Sequence, residues 1–147
     1  MKMDSQLLFS SAQNLTTGTI VSSNVLDLAN ARDIGVGRAL KVAMYVTTAF
    51  ASTDSGTLTV LYRVSTDNST YTTLVSSRAY TAGELAINTK LFPIDVPALD
   101  DNVALPRYHR LDYVMGALHF TPGAITAALV IDRHDVRAYP AGQVVAN

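Results

Sequence analysis

The chain has 147 residues, of which 48% are hydrophobic and 16% charged, with a formal net charge of −1 and no cysteine. Such a length predicts a single domain over 1–147, with a core large enough to need no disulfide or metal staple. The cysteine count excludes a disulfide framework, a thiolate zinc site and a cysteine nucleophile, and the near-neutral charge leaves no electrostatic footprint for nucleic acid or an anionic membrane.

Residues 1–21 are polar and small, and they predict an extended N-terminal arm that contributes little to the core. Within it Leu7, Leu8 and Phe9 form an apolar run too short for a signal peptide. No stretch approaches the roughly 20 apolar residues of a membrane span, so a soluble protein made in the cytoplasm is expected. A solvated tail has no use for such an apolar cluster, so Leu7, Leu8 and Phe9 are candidate partner contacts. They dock either on their own sandwich as an edge strand or on a neighbouring subunit.

Asn24 to Leu28 reads as a brief strand, and Leu28 to Asp33 as a helical turn. Gly35-Val36-Gly37 lacks the third glycine of a dinucleotide fingerprint and reads as a flexible turn. From Leu40 the apolar residues Leu40, Val42, Met44 and Val46 alternate with Lys41, Ala43, Tyr45 and Thr47, the two-residue period of a half-buried strand. After the turn residues Ser52 to Gly56, the set Leu58, Val60, Tyr62 and Val64 repeats that pattern. Asp67-Asn68-Ser69 turns the chain into a hairpin partner at Tyr71 to Ser76.

Ala86 to Phe92 reads as a further strand stopped by Pro93 and Pro97, since proline has no N–H to give a ladder. A loop over Pro97 to Pro106 leads to an extended Tyr108 to Gly116. Thr121-Pro122-Gly123 turns the chain back into Ile125, Ala127, Leu129 and Ile131, ending at Asp132-Arg133. Leu58, Val60, Leu129 and Ile131 are the expected core. Short strands separated by turn clusters predict an all-β fold, a jelly-roll-like antiparallel β-sandwich, with 133–147 as a C-terminal tail.

No constellation predicts catalysis, a cofactor or a metal. The three histidines are His109, His119 and His134. His109 shares the strand parity of Leu111, yet no second ligand stands two residues away, and a metal needs several converging ligands. His134 lies in Asp132-Arg133-His134-Asp135, better explained as a solvated or interface charge cluster. Asp100-Asp101 lacks further acids at calcium-loop spacing and reads as a loop cap. Asn14-Leu15-Thr16 and Asn68-Ser69-Thr70 match the glycosylation sequon but are expected to stay unmodified without a secretory signal. Among the tyrosines, Tyr62 reads as core or semi-buried, whereas Tyr45 and Tyr80 read as surface or interface.

Two stretches taken together resemble the tailed-bacteriophage capsid cement (decoration) proteins of jelly-roll fold. The first runs Ser5-Gln6-Leu7-Leu8-Phe9-Ser10-Ser11-Ala12-Gln13, then Ser22 to Leu28 and Ala31 to Gly37. The second runs Arg107-Tyr108-His109-Arg110-Leu111-Asp112-Tyr113, then Thr121 to Ala127. Thr57 to Thr66 is of the same type. The resemblance implies a virion structural protein, not an enzyme, that binds the outer surface of the capsid and bridges major capsid protein subunits. It also implies a homo-oligomer, for which a dimer is favoured as the commonest closed arrangement. The alternative is a jelly-roll carbohydrate-binding module of a phage tail or fibre, which needs an aromatic platform or calcium-binding acids at one end of the sandwich.

Overall fold

The computed structural model describes residues 5–37, 40–53, 55–100, 104–116 and 120–131, and of Ser5, Phe92, Phe120 and Ile131 it describes the backbone alone. After a single 3-10 turn at Ser5–Leu7 come β1 (Leu8–Leu15), β2 (Thr19–Val21), β3 (Leu26–Asp27), β4 (Leu40–Thr48) and β5 (Ala51–Ser52). The chain continues with β6 (Thr57–Ser65), β7 (Thr72–Ser76), β8 (Tyr80–Thr81) and a second 3-10 turn at Ala82–Glu84. Last come β9 (Lys90–Asp95), β10 (Tyr108–Met115), β11 (Phe120–Thr121) and β12 (Gly123–Ile131).

One sheet has the order β1-β12-β4-β9 and the other β2-β10-β6-β7. In the second sheet β3 prolongs the β10 edge and β8 the β6 edge, while β5 and β11 pair apart as a two-stranded ribbon. Every pairing is antiparallel. Of the connections between successive principal strands, only the β6–β7 hairpin stays within one sheet. The others cross from sheet to sheet, which is the jelly-roll winding.

The period-2 pattern explains why these residues form these layers. In β6, Leu58, Val60 and Tyr62 are fully buried, and Thr59, Leu61 and Arg63 between them face outward. In β10 the inward set is His109, Leu111, Tyr113 and Met115, each register-paired with one of the inward residues of β6. Val42, Met44 and Val46 of β4 and Ile125, Ala127 and Leu129 of β12 face them from the other sheet. The expected core residues Leu58, Val60 and Leu129 are buried; the side chain of Ile131 lies outside the described residues.

Three expectations are corrected. The arm over residues 8–21 docks on its own sandwich, the first of its two readings, with β1 beside β12 and β2 beside β10, but against expectation it contributes to the core, where Phe9 and Leu15 are fully buried. No helical turn forms at Leu28 to Asp33. There the carboxylate of Asp27 accepts the Ala29 N–H, Ala29 adopts a φ of 62°, and the Leu28 and Arg32 N–H groups bond Arg107 and Pro106 carbonyls instead. The strand expected at Ala86 to Phe92 begins only at Lys90 and continues through Pro93 to Asp95. Pro93 does not stop it because β9 is an edge strand of its sheet.

Two glycines are fixed by space. A Cβ on Gly35 would stand 2.0 Å from the Pro97 carbonyl oxygen, so the loop before β4 and the loop after β9 touch backbone to backbone. Gly35 is therefore required by close approach, not by the flexible turn expected of it. A Cβ on Gly123 would stand 2.5 Å from the Phe50 ring, which covers the start of β12.

Candidate functional site

Phe9 belongs to the core, fully buried with its ring edge-on to Tyr62 at 6.2 Å, so it has no surface to offer a partner. Leu7 and Leu8 are half-buried. His109 is also a core residue, 2% exposed, with its Nδ1 2.7 Å from the Tyr62 hydroxyl. Its Nε2 has no hydrogen-bond partner. Burial, with a smaller contribution from the Arg32 charge, pushes the imidazole down to about 4. It is held neutral, and Tyr62, its partner, is pushed above the ordinary phenol range by the same burial.

Asp100 is exposed in the loop that follows β9. Asp101, His119, His134 and the tail 133–147 lie outside the described residues. Among the described residues no group of three or more His, Cys, Asp or Glu could hold a metal ion. Phe9, Phe50, Tyr62, Tyr71, Tyr80 and Tyr113 are buried, and Tyr45 and Tyr108 half-buried. Tyr80, 2% exposed, is thus not the surface residue expected.

The charged chemistry gathers on the outer face of the second sheet. Strand parity turns Arg63 of β6 and Arg110 and Asp112 of β10 away from the core, and the register sets Arg110 directly opposite Arg63. Like charges facing each other across a strand pair repel. Asp112, with a side chain only 2% exposed, sits between them on the same face. Its Oδ2 accepts Arg63 Nη1 at 2.7 Å and Arg110 Nη2 at 3.2 Å. Arg110 Nε lies 2.9 Å from Oδ1, near enough for charge attraction but at an angle that makes no hydrogen bond.

Two further contacts fix the arginines. Arg63 Nη2 donates to the Tyr71 carbonyl, and the Arg110 guanidinium stacks 3.7 Å over the Tyr71 ring. Beside the cluster stand Val21, which pairs with Asp112 and is 40% exposed, and the half-buried Leu61 and Val114. Sequence reading placed Arg63 on the outer parity but missed the cluster. The signal available was outward charge in two strands, Arg63 in one and Arg110 with Asp112 in the other; the register that joins them is not written in either.

A second feature is the loop end of the sandwich beside β3. Leu28 N–H donates to Arg107 O at 3.0 Å and Arg32 N–H to Pro106 O at 3.1 Å, and the Asp33 carboxylate accepts the N–H groups of both Gly35 and Leu99. Arg107 forks onto Asp27 at 2.6 and 2.7 Å. These bonds hold a platform whose exposed apolar side chains are Val25, Val36 and Leu105.

A comparison with curated proteins gave no match. A family model does match, over residues 9–129, and its ends coincide with the sandwich itself: it opens at Phe9, the first core residue of β1, and closes at Leu129 in β12. Apart from the outermost residues of β1 and β12 it takes in every principal strand, and by that match the chain belongs to the Bbp16 family.

Proposed function

We propose that the protein is a capsid cement protein, made in the host cytoplasm and bound on the outer surface of a bacteriophage shell. There it bridges major capsid protein subunits, itself a homo-oligomer with a dimer favoured. The observation that carries this reading is the jelly-roll winding of β1-β12-β4-β9 over β2-β10-β6-β7. It runs through the same residues whose pattern resembles the cement proteins. The role is one of binding, not of catalysis.

Two features of the surface support it. Exposed sheet faces and a braced loop platform with apolar tips suit contact with another protein, and many copies on one particle let each modest contact add to a large total. A sugar-binding module stacks its ligand on exposed rings, whereas the described aromatic side chains are buried or half-buried. Electron microscopy of the particle that carries this protein tests the reading. Density outside the coat lattice is expected, and density confined to the tail would overturn it. Sedimentation of the purified protein at micromolar concentration is expected to give a dimer.

A further inference from the structure

We propose that the outer face of the second sheet, centred on Arg63, Asp112 and Arg110, is a docking surface for an acidic side chain of the coat protein. The inference rests on the cement reading and names the contact chemistry. Its ground is an unbalanced charge: two guanidiniums share one carboxylate, leaving the cluster one positive charge in excess. Arg63 is committed at both of its terminal nitrogens, to Asp112 and to the Tyr71 carbonyl. Arg110 is not. It directs Nη2 and Nε at Asp112, and its side chain keeps 20% exposure.

The site is preorganised. The Tyr71 ring beneath Arg110 and the carboxylate beside it hold the guanidinium in place before a partner arrives, so little side-chain freedom is lost on binding. An incoming carboxylate would meet a guanidinium already fixed in place and only partly neutralised, since Nη2 and Nε both face the one carboxylate of Asp112. Val21, Leu61 and Val114 supply an apolar rim that excludes water from the ion pair once a protein surface covers it. The face is the outer surface of a sheet, which fits a side chain presented on another protein better than a free small molecule. On the other sheet Lys41 is already paired with Asp95 at 2.9 Å.

The test is co-sedimentation with empty shells assembled from the coat protein of the same particle, with the melting temperature of each variant measured alongside. Arg110→Gln removes the charge and keeps donors for Asp112. It is expected to bind at least tenfold more weakly, and Lys90→Gln, on the edge strand of the other sheet, as well as wild type. A pair of variants at the exposed Val21, the cross-strand neighbour of Asp112, reads the sign of the partner's charge with the cluster's own three side chains kept. Val21→Asp is expected to weaken binding at least tenfold, and Val21→Lys to retain it. Equal binding by wild type, Arg110→Gln and Val21→Asp would overturn the docking surface and leave the cement reading standing. Equal loss in Val21→Asp and Val21→Lys would overturn the acidic partner. Failure of the wild type itself to bind the shells would overturn the cement reading, and the docking surface with it.

Discussion

Neutral His109 makes the molecule sensitive to acid. In the unfolded chain the imidazole takes its proton near pH 6.5, whereas in the fold it does so only near 4, because the buried ring has no partner for a charged Nε2. The unfolded state therefore binds more protons between those values, and stability falls as the pH drops through them. His109 contributes little to this slope above about pH 7.5, and by pH 4 its cost reaches about 3 kcal/mol. Urea melts from pH 7.5 to 4.5 should show the decline, and His109→Gln, which keeps an acceptor for the Tyr62 hydroxyl without titrating, should flatten it. An unchanged slope would place the acid sensitivity elsewhere. Sterics act at the same scale at Gly123, where alanine would press a methyl into the Phe50 ring. Overpacking of this kind costs about 1–3 kcal/mol, so Gly123→Ala should lower the urea midpoint. Neither effect was legible beforehand: parity alone placed His109 with Leu111, but its contact with Tyr62 depends on the pairing of β10 with β6.

Among the elements, β1 was the hardest to read and carries much of the stability. Its apolar positions are not regular, since Phe9 and Leu15 point inward across a bulge at which Ala12 takes a φ of 45° and gives its N–H to the Thr126 hydroxyl. Such an insertion breaks the two-residue period, so the segment resembles a loose arm in sequence. The strands β4, β6 and β12 were legible because each lies inside its sheet and alternates without interruption where it meets the core. The edge strand β9 was displaced by the weight given to Pro93, whose missing N–H is harmless at an edge. Removing residues 1–13 now carries a definite expectation. Losing Phe9 alone costs about 3–5 kcal/mol by comparison with other buried aromatics, and the truncation also strips β12 of a neighbour. The melting temperature should drop by on the order of 10 °C or more. A truncated chain that melts like the full one would show the arm to be dispensable to the sandwich.

Across the whole molecule the pairings are long in sequence: β1 joins β12, β4 joins β9 and β6 joins β10. Loops of that length must close before their contacts reward them, so refolding from urea should fall in the millisecond-to-second range of strand-rich domains, not the microsecond range of helical bundles. Stopped-flow fluorescence of the tyrosines would measure it. The position of β12 has a further result for biosynthesis. It is the last of the described strands to be made and yet lies inside its sheet, between β1 and β4, so a nascent chain still lacking it holds two strands with no partner between them. The sandwich cannot close on the ribosome until Ile131 has emerged from the exit tunnel. A translation product interrupted before β12 therefore has no completed first sheet with which to compete for whatever the finished protein binds.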